Sequence, residues 1–206
     1  MKKLIILDAG HGGLIGKYMT AGKRSPQRED GKEFYEGVFN RMIVNNIQFR
    51  LMGLGIPCTI LAPENNDLQL PARVQRAKRL HSKYNCFGVS VHSNAAGDPN
   101  VFEPDATGWE VWTSEGETDS DRYAEHFMRE IEARFPSKKM RKGLSGKVSK
   151  EKNLYILSRT PMPFVLTENF FMTSQDEVDN ILTNQEGINK IVEAHVEAIK
   201  CVYEEM

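Results

Sequence analysis

Three residues far apart in the sequence share one placement: each lies where a short apolar run gives way to a turn. His11 follows KLIILDA (3–9) by two positions, His92 closes CFGVSVH (86–92), and Glu168 ends FVLTE. A fourth, Glu36, opens an amphipathic stretch after the Gly-, Lys- and Arg-rich segment 14–35. In an open α/β sheet the ligand crevice lies beyond the carboxyl ends of the strands, where loops converge over a rigid base. Such a placement brings four groups from four parts of the chain to one spot.

Two imidazoles and one carboxylate are a usual ligand set for a catalytic zinc, bound at roughly 2.0–2.2 Å with the fourth position left to water. His11, Glu36 and His92 supply that set. A water held there has its pKa lowered to roughly 7, and a carboxylate outside the ligand set can accept its proton and pass it to a leaving nitrogen. Glu168 is the candidate for that role. Each residue also has a plain structural reading, since a histidine at a strand end is commonly just hydrogen-bonded and a glutamate at a helix start is favoured by the helix dipole. Against that, Glu168 follows an apolar run in which an unpaired charge is costly. The residues alone leave a zinc site and four unrelated polar side chains both open.

The elements that must position these groups alternate between β-rich and helical patterns. Strands are expected at 3–9, 57–62, 86–92, 108–113, 153–157 and 164–169, and helices at 36–55, 70–84, 120–135 and 183–205. This predicts a single α/β domain over residues 1–206, three-layered, with a mostly parallel central sheet flanked by helices. Two segments are irregular. Segment 14–35 is one, and 136–152, PSKKMRKGLSGKVSKEK, carries seven Lys and Arg against one Glu; it reads as a solvated loop that could meet an anionic substrate. The Gly/Pro/Asn/Asp-rich stretch 93–108 reads as a connection rather than a lid.

Composition removes several classes of function. The 206 residues contain 27 Lys and Arg and 28 Asp and Glu, a formal charge of −1, which gives no electrostatic reason to expect nucleic acid or a membrane surface. Three widely spaced cysteines, Cys58, Cys86 and Cys201, form no C-x-x-C pair and read as buried thiols, not as nucleophiles or metal ligands. The apolar run after Lys2 and Lys3 breaks at Asp8, too early for a signal peptide, and no segment is long enough to span a membrane. His81, His126 and His195 fall inside helical patterns among charged neighbours and read as surface or core-edge side chains. GHGG lacks the spacing of a nucleotide-binding glycine loop.

The motifs together resemble the zinc-dependent N-acetylmuramoyl-L-alanine amidases of the amidase-3 type. LIILDAGHGG is similar to that family's first strand and first zinc histidine. YEGVFN resembles its helix-starting Glu with an Asn four residues on, here Glu36 and Asn40; VSVHSNA resembles the second histidine motif, and VLTENFFMTSQDE the late strand ending in the catalytic glutamate. Asp67, Leu70 and Arg73 are also in place, although the Thr-Arg pair usual before them is missing. The family's Glu-Leu-Gly-Phe reads Glu168-Asn169-Phe170-Phe171 here, and segment 14–35 is longer than the family's usual connection.

The resemblance implies Zn2+ as cofactor, His11, Glu36 and His92 as ligands, Glu168 as the catalytic residue, and Asn94 and Asn169 as substrate contacts. It implies hydrolysis of the amide between N-acetylmuramic acid and L-alanine in peptidoglycan. Two alternatives are a zinc peptidase or carboxypeptidase cutting within the stem peptide, and a wall-binding module without turnover. A monomer is expected, made in the cytoplasm without a signal peptide and reaching the cell wall through a holin pore, as a phage or prophage endolysin does, or as a domain of an exported protein.

Overall fold

The computed structural model describes residues 1–144 and 146–206. Six strands form the main sheet: β1 (Lys3–Ala9), β4 (Cys58–Ile60), β5 (Asn85–Asn94), β6 (Glu110–Thr113), β7 (Lys150–Glu151) and β8 (Phe164–Phe171). Their order is β4-β1-β5-β8-β6-β7, with the first four parallel and β6 antiparallel to β8. A small hairpin, β2 (Leu14–Ile15) and β3 (Lys17–Tyr18), stands apart. It turns through Gly16 at φ +66°, a conformation glycine adopts without steric cost.

Helices cover both faces, giving the expected three layers. On one side α1 (Glu36–Gly53), α3 (Asp119–Arg134) and α6 (Gln185–Glu205) pack against Ile5, Leu7, Val89, Val91, Val111 and Val165. On the other, α2 (Leu70–His81) and the short α4 (Tyr155–Arg159) cover Leu4, Ile6, Phe164 and Leu166. Strands buried on both faces must be apolar at consecutive positions, which is why KLIIL shows no alternation. The helices carry their own start signals. Thr118 and Asp121 form a capping box at α3, and the Asn184 side chain accepts the amides of Glu186 and Gly187 at α6.

One element differs from expectation. Residues 153–157 are not a strand: the chain enters α4 at Tyr155, and Ile156 and Leu157 are both buried against β8 and α2. Adjacent apolar side chains share one buried face in a helical turn but lie on opposite faces of a strand, and a five-residue run is too short for its period to decide. The sheet edge is instead formed by Lys150 and Glu151. Between β8 and α6, a helical turn α5 (Gln175–Glu177) and a π-helical stretch (Val178–Leu182) fill what reads as a loop.

Two other readings are corrected. Cys86 is buried, and burial pushes its thiol up to about 11, but Cys58 and Cys201 are only half-buried. His195 lies fully inside the core, where Nδ1 donates to the Ile191 carbonyl and Nε2 accepts from the Thr167 hydroxyl. Burial holds its pKa down to about 4, so the ring is neutral.

Candidate metal centre and active site

His11, Glu36 and His92 meet at the carboxyl edge of the sheet. Glu36 Oε2 is 3.2 Å from His11 Nε2, and Glu36 Oε1 is 3.0 Å from His92 Nδ1. One ligand atom from each of the three lies within 4.8 Å of the others, the spread a single ion can bridge. Atoms sharing a tetrahedral zinc at about 2.1 Å sit about 3.4 Å apart, so the donor set fits that metal in kind and in spacing.

Close backbone packing makes this meeting possible. A Cβ on Gly10 would lie 2.2 Å from His92 Cε1, so the His92 ring rests against bare backbone. A Cβ on Gly37 would strike the Gly12 carbonyl at 1.9 Å, so α1 starts hard against the turn that carries His11. That turn holds His11 at φ +62°, a left-handed conformation uncommon outside glycine and of the kind that collects at functional sites.

Supporting bonds hold the elements that carry these side chains. Glu36 Oε1 also accepts the Ser93 amide at 3.2 Å and the Asn40 side-chain amide at 3.4 Å, while Asn40 reaches the Gly10 carbonyl as well. Arg73 donates to Asp8, to the Ala9 carbonyl and to the His11 carbonyl, and Ser90 completes the shell of Asp8. Thr20 links the Gly12 amide to Asp67, tying segment 14–35 to the His11 turn. The Tyr18 hydroxyl accepts from Gly37 and donates to the Lys23 carbonyl; burial pushes its pKa up to about 12, so it stays protonated.

Electrostatics divide the two glutamates. Burial alone would raise Glu36, but hydrogen bonds from His11 and His92 outweigh it and hold its carboxyl well below the ordinary range. His92 is raised in return: burial disfavours its charge, and the Glu36 carboxylate more than offsets that. Glu168 goes the other way, raised chiefly by burial, with the His92 charge opposing and the negative charges of Glu36 and Glu110 adding to the rise. Glu168 is the Cα partner of His92 across β5 and β8, and its buried Oε2 has no hydrogen-bond partner among the described residues. A carboxylate poised beside the donor set with a free oxygen can hold and release a proton.

The remaining expected residues sit elsewhere. Asn94 donates to Glu110 at the rim of the site. Asn169 is fully buried: its amide donates to the His92 carbonyl and its oxygen accepts the Trp109 indole N–H, so it positions the strand that carries His92 and has no face toward a substrate. Asp8 and Glu110 were missed by sequence reasoning. The only signal either gave was an acidic residue at an inward strand position, beside an Arg- or Lys-bearing segment far away in sequence.

A cavity of about 300 Å³ opens beside His11 and His92, lined by Asp67, Gln69, Tyr155 and Leu166 among others. Among the described residues, no helix is long and apolar enough to cross a membrane.

The endolysin of Bacillus phage SPP1 is 26% identical over 203 residues, which is 97% of this chain and 65% of that protein. The chain thus spans about two thirds of the length of that curated relative. Among solved structures, the N-acetylmuramoyl-L-alanine amidase AmiC2 of Nostoc punctiforme superposes with a TM-score of 0.77 at 22% identity, covering 98% of this chain and 97% of its own. The N-acetylmuramoyl-L-alanine amidase of Clostridium difficile 630 gives 0.78 at 22% identity with the same coverage. These structural likenesses establish the fold. The family of N-acetylmuramoyl-L-alanine amidases known as Amidase_3 matches residues 5–201, nearly the whole chain, and the protein belongs to it.

Proposed function

We propose that the protein is a zinc-dependent N-acetylmuramoyl-L-alanine amidase that cleaves the bond between the lactyl group of N-acetylmuramic acid and the L-alanine of the peptidoglycan stem peptide. The observation that carries this reading is the meeting of the His11, Glu36 and His92 donor atoms beside Glu168, whose buried Oε2 has no partner among the described residues. His11, Glu36 and His92 would hold the zinc, which supplies Lewis-acid polarisation of the scissile carbonyl and of the attacking water. Glu168 accepts the proton of that water and returns it to the amide nitrogen as the C–N bond breaks, freeing the amine of L-alanine. Burial raises its pKa to about 8, close to neutral pH, so the group can both take up a proton and give it back. Asn40 and Ser93 hold the Glu36 carboxylate, and Arg73 holds the His11 backbone, in the positions from which they would bind the metal.

Likeness to a phage endolysin supports a lytic role at the cell wall, with peptidoglycan as the macromolecular substrate. The test is mass spectrometry of purified peptidoglycan digested by the zinc-loaded protein. Intact stem peptides with a free N-terminal L-alanine are expected. Cleavage inside the stem would move the function to a peptidase, and zinc binding with no release of material would indicate a wall-binding module.

A further inference from the structure

The row of polar groups at the site continues past Glu168 onto β6. Glu110 is the Cα partner of Glu168 across β6 and β8, as Glu168 is of His92 across β8 and β5. Residues directly opposite in a ladder project on the same face. His92, Glu168 and Glu110 therefore form one line, spaced by about 4.8 Å per strand. Glu110 is buried and takes four donors: Asn94 Nδ2, Trp112 Nε1, Arg141 Nε and Lys150 Nζ. Two cations on one carboxylate leave the cluster with a net positive charge.

Each cation is also held over an aromatic ring. Arg141 lies 5.0 Å from the centroid of Phe171, and Lys150 lies 5.2 Å from that of Trp112. Arg141 Nη1 reaches the Thr107 carbonyl, while Nη2 and the remaining Lys150 N–H groups have no partner among the described residues. Both side chains keep access to solvent, at 30% and 23% exposure.

We propose that Arg141 and Lys150, held by Glu110, form an anion subsite that binds a carboxylate on the peptide side of the scissile amide. This rests on the amidase reading above. The carbonyl under attack must lie between the donor set and Glu168, one to two strand spacings from the cations on Glu110. Two residues of extended peptide span about 7 Å, which carries the second residue of the stem to that distance. That residue is glutamate joined through its side chain, and its α-group is either a free carboxylate or a carboxamide. Fixed guanidinium and ammonium groups with surplus charge select the carboxylate, because the carboxamide brings no charge to the bond.

The experiment compares kcat/KM of the zinc-loaded protein for N-acetylmuramoyl-L-alanyl-D-isoglutamate and for the isoglutamine counterpart, which differ only in that group. A preference of about tenfold or more for the carboxylate, expressed mainly in KM, is expected for a charge-assisted contact. Arg141→Gln and Lys150→Gln should each bring the ratio toward one, and Arg141→Lys should restore part of it. Lys78→Gln removes the same charge from an exposed side chain in the last turn of α2, which lines no part of the cavity beside His11 and His92, and should leave the ratio as it is. Equal turnover of the two substrates by the wild type, or collapse of the ratio in Lys78→Gln as well, would overturn the subsite while leaving the amidase standing. Cleavage of neither substrate would overturn both. Thermal melting of each variant identifies one that has simply lost its fold, in which case Arg141→Lys against wild type decides.

Discussion

Arg73 and Asp8 form a buried ion pair beneath the turn that carries His11: Arg73 Nη1 lies 2.6 Å from Asp8 Oδ1 and from the Ala9 carbonyl, and Nη2 lies 3.2 Å from the His11 carbonyl. The two side chains are 3% and 2% exposed. Removing one partner leaves a buried charge uncompensated, at about 3–5 kcal/mol. Arg73→Met should therefore lower the unfolding free energy of the metal-free protein, measured in urea, by that amount. Because the same guanidinium holds the His11 backbone, zinc affinity measured by competition with a chromophoric chelator should fall about tenfold or more. Loss of stability with unchanged zinc affinity would mean that the clamp does not reach the metal site.

Glu168 touches none of the three donor residues by hydrogen bond, so its removal separates chemistry from metal binding. Glu168→Gln should retain one zinc per chain by elemental analysis and lose about 10²–10⁴-fold in turnover, the range of a single positioned acid–base group. Retained turnover would take Glu168 out of the mechanism.

The paired shifts of Glu36 and His92 set a pH dependence that differs with and without metal. Glu36 is depressed, so its contribution is present above the unfolded value of about 4.3 and lost as pH falls through the lower folded value. His92 is raised, so its contribution is full below the unfolded value of about 6.5 and lost as pH rises through the higher folded value. Buried His195, held down to about 4, opposes this below pH 6.5, but Glu168, raised to about 8, adds to it, so the metal-free protein should melt higher at pH 6 than at pH 8. Zinc reverses the trend, since it needs both imidazoles deprotonated and its affinity falls with acid. At a concentration one hundred times its Kd at pH 8, zinc should add about 2.7 kcal/mol there, roughly 5–10 °C for a chain of this size, and less at pH 6. Melting curves with and without chelator at the two values check this.

How far the sequence speaks for this site depends on how local each signal is. His11, His92 and Glu168 are legible because each follows an apolar run that can only be a buried strand, and the end of such a strand is where ligands gather. The Arg73 clamp and the Glu110 cluster are not, because their partners lie 65 and up to 40 residues away and no periodicity links them. Tyr155 and Leu157 went astray because five residues fit a strand and a helical turn equally well, and the packing of α4 on β8 decided between them. Asn169 was placed at the substrate by its neighbour Glu168, yet alternation along β8 turns it to the opposite face, onto Trp109.

Phe170 occupies the place of the family's glycine after the catalytic glutamate, and the backbone there explains the glycine: φ is +60°. A side chain in that conformation costs roughly 1–2 kcal/mol, which glycine would not incur. This chain offsets the strain by burying the ring completely against Phe135, with centroids 4.9 Å apart. Ser93 Oγ meanwhile hydrogen-bonds the carbonyls of Asn169 and Phe170, holding the bend in register with His92 next to it. Deleting a buried phenylalanine side chain costs about 3–5 kcal/mol. The packing term is the larger, so Phe170→Gly should destabilise by about 1–4 kcal/mol in urea unfolding even though it restores the family residue and relieves the backbone. In a Phe135→Ala background much of that packing is already gone, so the same substitution should cost less, and the double-mutant cycle measures the coupling. A Phe170→Gly protein more stable than the wild type would mean that strain, not packing, dominates at this bend.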